Sequence, residues 1–361
     1  MSAPDSAVQR GPAPAFWRGK RVFLTGHTGF KGSWLAIWLR SMGAIVKGFA
    51  LPAEEPGLFH LADAGRGIES EHGDIRDADA LRASLTAFGP EIVLHLAAQP
   101  LVRASYDDPV GTYAVNVMGT VHLLDAVRTC GGVQAAVIVT TDKCYANEGW
   151  VWGYRETDRL GGADPYSNSK AACELVVDAY RHSFFAPGAG TTIASARAGN
   201  VIGGGDFAAD RLVPDAIRAF AAGTPLAVRN RLAVRPWQHV LEPLAGYLLL
   251  AERACADARF GQGWNFGPSV DENVTVGAVA DRLATAWGDG ARWAQDDGVH
   301  PHEAHTLKLD CARARQELGW RPRLDIDAAL ALTVAWYRAH HDGADMVRYT
   351  ERQLADYVAA A

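Results

Sequence analysis

No stretch of this 361-residue chain holds the ~18 consecutive apolar residues that a membrane-crossing helix needs. A membrane partner is therefore not expected. Cysteine is scarce. The five residues (Cys130, Cys144, Cys173, Cys255, Cys311) are scattered, odd in number and without CxxC or zinc-type spacing. That excludes a disulfide framework and fits reduced thiols in a cytoplasmic protein. Excess positive charge is also missing. The net charge is −6, which argues against general nucleic-acid binding. Residues 1–18 are rich in Pro and Ala but lack a signal-peptide core, so they read as a flexible N-terminal arm. Repeats, low-complexity tracts and long linkers are absent too. What remains is chain enough for one large domain or two intimate ones.

Short apolar runs alternate with helical patterns through the first two hundred residues. Arg21–Thr25, Ala44–Ala50, Ile92–Leu96, Ala136–Thr140 and Thr192–Ala196 read as strands. Between them, an apolar stretch around Trp34–Leu39 and segments near Asp77–Phe88, Val110–Arg128 and Ala171–Phe184 read as helices. Nearly continuous apolar strands alternating with helices predict an α/β fold, a doubly wound parallel sheet covered on both faces. Beyond Asn200 the pattern turns irregular, with Gly203-Gly204-Gly205 and several prolines, and predicts a smaller second region.

Gly26, Gly29 and Gly32 form a GxxGxxG turn between the first strand and its helix. Glycine there lets the backbone turn tightly, approach a pyrophosphate and pack helix against strand. An ordinary strand–helix connection could hold the same spacing, but the surrounding βαβ pattern favours a dinucleotide site. The acid usual after the second strand is missing; Phe49-Ala50-Leu51-Pro52 stands there instead. No arginine follows that could hold a 2′-phosphate, so NAD is preferred to NADP. Asp74, with Ile75, is placed after the third strand, where its carboxylate can accept from an adenine amino group. Ala97-Ala98-Gln99 after the fourth strand would let the backbone lie close to the cofactor.

Two further groups carry chemistry. Tyr166 and Lys170 form a Tyr-x-x-x-Lys pair, one helical turn apart on one face, behind the helix-opening Asp164-Pro165. A phenol titrates near ~10, so it serves as a base only if something lowers that value, and Lys170 is the expected agent. A surface tyrosine with a solvated lysine would look the same. Thr141-Asp142-Lys143 follows the fifth apolar run, at the usual mouth of an α/β site. It offers a hydroxyl, a proton donor and a base, the last in need of a cationic or desolvated setting. A polar turn closing a strand is the alternative.

From Ala216 to Leu241 there is no acid but there are four arginines, Arg218, Arg229, Arg231 and Arg235. Guanidinium forks match a diphosphate, although a solvated helix face gives the same composition. His300, His302 and His305 near Glu303 lack a second ligand cluster, so no metal site is expected.

With these residues in place, the sequence resembles the extended short-chain dehydrogenase/reductases, and among them the CDP-glucose 4,6-dehydratases. The resemblance runs from about residue 19 to about residue 340. It rests on TGHTGFKGSWL (25–35), HLAAQPLVRASY (95–106), TTDKCYAN (140–147), DPYSNSKAACE (164–174) and RAGNVIGGGD (197–206). DRLVPD (210–215), RPWQHVLEPLAGY (235–247), WNFGP (264–268) and HEAHTLKLD (302–310) complete it. GxxGxxG and YxxxK are superfamily-wide, while the Thr-Asp-Lys tripeptide and the His27/Lys31 form of the turn are narrower. Related dehydratases for dTDP-glucose or GDP-mannose carry glutamate where this chain has Lys143.

The resemblance implies a Rossmann-type NAD-binding region at 19–200 with a return segment at about 233–267. Residues 201–232 and 268–361 would form the nucleotide-sugar region. Gly26, His27, Gly29, Phe30, Lys31, Gly32, Asp74, Ile75, Ala97, Ala98, Gln99, Tyr166 and Lys170 would hold NAD. Tyr166 would take the C4-hydroxyl proton of CDP-glucose, Lys143 the C5 proton, and Asp142 would protonate the departing C6 hydroxyl. Thr141 would orient the sugar, with Asn200, Arg211, Arg235 and His300 as further substrate contacts. A 4-epimerase would need Tyr166 and Lys170 but not the elimination pair, and a non-catalytic dinucleotide sensor would need neither. The family pattern also implies a homodimer or homotetramer paired through the helices at 110–128 and 166–184.

Overall fold

Phe23 is fully buried, and so are its neighbours Val22 and Leu24, yet they face opposite sides of strand β1 (Arg21–Thr25). That double burial recurs across a seven-stranded parallel sheet. Its other strands are β2 (Ile45–Ala50), β3 (Glu69–His72), β4 (Ile92–His95), β5 (Ala135–Val139), β6 (Thr192–Ala198) and β7 (Gly263–Phe266). The spatial order is β7-β6-β5-β4-β1-β2-β3, every pair parallel. The chain runs outward one way through β2 and β3 and the other way from β4, so the order reverses between β1 and β4. A crevice at the carboxyl ends of the strands follows from that reversal. The computed structural model describes residues 11–186, 188–269, 274–298 and 306–360.

Each face has its own helices. Phe23, Val93, Ile138 and Ile193 pack under α2 (Ala78–Phe88), α3 (Gly119–Cys130) and α4 (Pro165–Phe184). Val22, Leu94, Val137 and Ala194 pack under α1 (Phe30–Ser41) and, beyond it, α6 (Leu241–Ala256). Alternate residues of one strand thus serve two layers, which is why the strands read as unbroken apolar runs.

After β6 the chain leaves the sheet for α5 (Leu212–Ala221) and then returns through α6 to β7, which pairs with β6. α7 (Val276–Trp287), α8 (Ile326–His341) and α9 (Met346–Ala359) complete the second region. One apolar cluster extends from Trp17 to Tyr357, so both regions share a core. The Gly203-Gly204-Gly205 run is the seat between them. A Cβ on Gly204 would stand 2.0 Å from the ring of Trp336, and Gly204 O accepts from Trp34 Nε1 at 3.0 Å. Emptying the Trp336 site with alanine would cost about 3–5 kcal/mol.

The N-terminal arm is shorter than the composition suggests. A helical turn, Pro14–Trp17, packs Trp17 into the core with no exposed surface. Its indole N–H donates to Glu252 at 2.6 Å, and Ala13 N donates to the same oxygen at 2.7 Å. A buried indole with its polar end satisfied anchors a segment that polar, Pro-rich composition alone marks as loose. Residues 1–10 lie outside the described residues. Among the described residues, no helix is long and apolar enough to cross a membrane.

Candidate active site

A cleft of about 680 Å³ runs over the carboxyl ends of β1, β4, β5 and β6. One end is the glycine turn. Gly26 has φ +75°, and a Cβ there would meet Ala97 N at 2.6 Å; a Cβ on Gly32 would meet Gly26 O at 2.0 Å. Only glycine permits this closeness. Gly29 then starts α1, whose free N–H groups and dipole favour an anion at that point. Phe30, Lys31, Ala97, Ala98, Asp74 and Ile75 also line the cleft. A backbone cradle at a helix start with a carboxylate further along fits a dinucleotide. Asp74 is engaged by Arg76, whose Nη2 lies 2.6 Å from Oδ2.

Two residues assigned to the cofactor turn elsewhere. His27 is fully buried, its Nε2 2.7 Å from Ser70 Oγ and its ring edge-on to Phe59. A Cβ on Gly48 would strike that ring at 2.3 Å, so His27 is a wedge against β2 and not part of the cleft wall. Gln99 donates from Nε2 to Thr112 Oγ1 at 2.8 Å and accepts from Leu101 N at 2.5 Å, bracing its own loop. A distant partner claimed the His27 side chain, and the local loop claimed that of Gln99.

The chemical centre lies over β5. Thr141 is extended and caps a short 3₁₀ turn, Asp142–Cys144, accepting from Lys143 N at 3.4 Å. Asp142 is 2% exposed; Oδ1 accepts from Thr141 Oγ1 at 3.0 Å and Oδ2 has no hydrogen-bond partner among the described residues. Burial raises its pKa, with Lys143, Thr141, Arg235 and Lys31 pulling the other way. The neutral, proton-bearing acid is favoured. Lys143 lines the cleft beside it but is only half-buried, short of the desolvated setting the sequence argument asked for.

Across the cleft, Asp164 caps α4 through Ser167 N at 2.8 Å and Pro165 opens it. Tyr166 N donates to Ser105 Oγ at 3.1 Å, and Lys170 Nζ donates to Val139 O at 3.3 Å. Both side chains line the cleft and both residues are buried. The largest influences on the Tyr166 phenol do not come from Lys170, the agent the pairing suggested. Burial dominates and pushes Tyr166 up to about 12, opposed by a hydrogen bond from Thr141 and the charge of Arg211. Lys31 faces the same centre. Burial, with Arg211 and Lys170 nearby, brings its ammonium down to about 8.

The far end is built by residues that follow β6. Asn200, Arg211, Leu226 to Asn230, Arg235 and Trp237 line it. Arg211 pairs with the buried Asp206 at 2.8 Å, and Arg235 is 6% exposed. Of the four arginines in the acid-free stretch, Arg229 and Arg235 line the cleft. Arg218 instead donates to Phe207 O and pairs with Asp215. Arg231 is not among the lining residues described. His300, His302 and His305 lie outside the described residues. Among the described residues, no group of His, Cys, Asp and Glu could hold a metal.

Sequence reasoning overlooked several groups. Glu54 and Glu55 line the cleft just past Leu51-Pro52, where the missing carboxylate was sought. Arg103 and Arg229 both reach Asp210, at 3.4 and 3.1 Å, joining the two regions. Glu174, one turn beyond Lys170, could have been found from that spacing.

The GDP-mannose 4,6-dehydratase family model matches residues 23–333. A CDP-glucose 4,6-dehydratase of Salmonella typhimurium is 54% identical over 351 residues, 96% of this chain and 98% of that protein. The structure of a dTDP-glucose 4,6-dehydratase from Streptomyces venezuelae with NAD and TYD bound superposes with a TM-score of 0.76 at 26% identity. It covers 91% of this chain and 99% of its own. A UDP-glucose 4-epimerase from Thermotoga maritima gives 0.79 at 22% identity, covering 89% of this chain and 99% of its own, which is likeness of fold alone. The seven-stranded Rossmann sheet agrees with these matches, and the chain belongs to the GDP-mannose 4,6-dehydratase family of extended short-chain dehydrogenase/reductases.

Proposed function

We propose that this protein is an NAD-dependent hydro-lyase that converts CDP-D-glucose to CDP-4-dehydro-6-deoxy-D-glucose and water. One observation carries the reading: Thr141, Asp142 and Lys143 line the same cleft as Tyr166 and Lys170. The choice of cytidine follows the 54% identity to the Salmonella enzyme over nearly the whole of both chains.

Thr141 orients the sugar, and Tyr166 takes the proton of the C4 hydroxyl. The glycine turn, Asp74, Tyr166 and Lys170 would hold NAD, which would supply the redox chemistry at C4 and C6. The 4-keto group acidifies C5–H, and Lys143 takes that proton. Asp142, whose pKa burial raises, protonates the C6 hydroxyl, which leaves as water. Lys143 then returns a proton to C5. Arg229, Arg235 and Arg211 face the diphosphate, since planar guanidinium forks match phosphate oxygens. The residues at 201–232 and 268–361 hold the nucleotide sugar over the Rossmann region.

The active species is a homodimer or homotetramer in the cytoplasm, serving deoxysugar synthesis such as that of lipopolysaccharide O-antigen. Exposed Val110, Met118, Leu175 and Phe184 stand on the helical stretches at 110–128 and 165–184, and such apolar patches suit subunit contact. All five cysteines are free.

Incubation with CDP-glucose tests the reaction. A 4-keto-6-deoxy sugar, seen by its absorbance in alkali, is the expected product. Unchanged CDP-glucose, or an isomer still carrying its C6 hydroxyl, would overturn the reading.

A further inference from the structure

One buried ion pair links both flanks of the Thr141-Asp142-Lys143 tripeptide to the helix that carries Tyr166 and Lys170. Glu174 on α4 and Arg197 on β6 meet at 2.8 Å, their side chains 3% and 6% exposed. Glu174 Oε1 accepts from Thr140 Oγ1, immediately before the tripeptide. Its Oε2 accepts from Ser195 Oγ at 2.6 Å as well as from Arg197. Arg197 Nη1 donates to Tyr145 OH at 2.7 Å, two residues after Lys143, and to Glu156 O at 2.9 Å. Tyr145 OH passes its own proton to Asn265 Oδ1 on β7 at 2.7 Å.

The two halves of the site are not held alike. α4 has its own anchors: the Asp164 cap, Ser105 Oγ on Tyr166 N, and Val139 O on Lys170 Nζ. The tripeptide has one 3₁₀ turn, Asp142–Cys144, with backbone bonds from Thr140 N to Ala196 O and from Gly161 N to Cys144 O on its flanks, and no helix follows before Pro165. Its ends are fixed by Thr140 and Tyr145, and both are tied to Glu174–Arg197. A buried ion pair is a poor source of net stability, because desolvating two charges offsets their attraction. Specific geometry is the better reason to keep one.

We infer that Glu174 and Arg197 are positioning residues for the elimination half of the reaction, holding Asp142 and Lys143 in register with Tyr166 and Lys170. The inference rests on the dehydratase reading. Reacting groups must be placed to within a fraction of an ångström, and about 1 Å of error can cost ~10²-fold.

Two variants test it. Glu174→Gln removes the charge and keeps the shape; Tyr145→Phe leaves the ion pair intact and removes the hydroxyl that Arg197 Nη1 reaches. Each is mixed with NAD and CDP-glucose. Product formation, reduced-nicotinamide absorbance, exchange of C5–H with deuterated solvent and CDP-glucose affinity are followed. The expected result is product formation slowed on the order of 10- to 10²-fold, with reduced nicotinamide building up, slower C5 exchange and unchanged affinity. A merely structural pair would lower the melting temperature without changing the balance between oxidation and elimination. Variants that slow both halves equally, or that keep wild-type rates, sink the inference. If Glu174→Gln does not fold, Tyr145→Phe decides on the same readouts. Wild-type protein that leaves CDP-glucose untouched sinks the dehydratase reading itself, and this inference with it.

Discussion

Thr141 Oγ1 lies 3.0 Å from Asp142 Oδ1 and donates to it, while the same side chain pulls the pKa of the Tyr166 phenol down. One hydroxyl therefore stands between the base of the first step and the acid of the second. Its single proton can serve only one oxygen at a time. Directed at Asp142, it supports the acid. Directed at Tyr166, it supports a phenolate.

Tyr166→Phe should abolish oxidation at C4, a loss on the order of 10²-fold or more, with CDP-glucose binding retained. In the wild type the oxidation rate should climb with pH, because burial holds the phenol up at about 12. Thr141→Val removes the hydroxyl that lowers it, so the climb should move to higher pH. A pH profile of the oxidation step checks both. Turnover near wild type in Tyr166→Phe would remove Tyr166 from the mechanism.

Lys143→Met should still oxidise the sugar, since neither Tyr166 nor its anchors depend on Lys143. Elimination should then stall, with lasting reduced-nicotinamide absorbance and no solvent deuterium entering C5. Normal 4-keto-6-deoxy product from this variant would mean that another group takes the C5 proton.

Asp142→Asn separates function from stability. Burial raises the folded pKa of Asp142 above its unfolded value. The stability this carboxyl contributes is therefore full below the unfolded value near ~3.9 and is lost as pH rises through the raised folded value. The asparagine variant should lose elimination by ~10²- to 10⁴-fold. It should also melt higher than wild type at alkaline pH, with the gain shrinking toward pH ~4. A gain that grows on acidification would contradict the stated shift.

Gly32→Ala should weaken dinucleotide binding on the order of 10-fold or more, because a Cβ there stands 2.0 Å from Gly26 O and must open the turn. Fluorescence titration of the protein with NAD reads the change. The same titration with NADP should give the weaker binding in wild type; tighter NADP binding would reverse the cofactor assignment.

Local chemistry is what the sequence alone determined. Gly26, Gly29 and Gly32 are legible because a strand–turn–helix that admits a phosphate has few solutions within eight residues. Asp164, Pro165, Tyr166 and Lys170 are legible for the same reason: cap, first turn and a one-turn spacing are all set by neighbours in the chain. Unbroken apolar strands likewise announce a sheet covered on both faces.

Only the tertiary structure decided what depends on partners far away in the chain. Trp17 belongs to the core because Glu252, 235 residues on, accepts its N–H. His27 sits in the cofactor turn by sequence, but Gly48, Phe59 and Ser70 leave a slot that draws its ring away from the cleft. Burial, which no spacing reports, sets the Tyr166 phenol high against the pull of Thr141 and Arg211. Glu174 and Arg197 look like two ordinary charges in sequence. They become a clamp on the tripeptide because parallel pairing of β5 with β6 brings Thr140 and Arg197 to one end of the sheet, under α4. Contact geometry across the sheet, not residue type, made that choice.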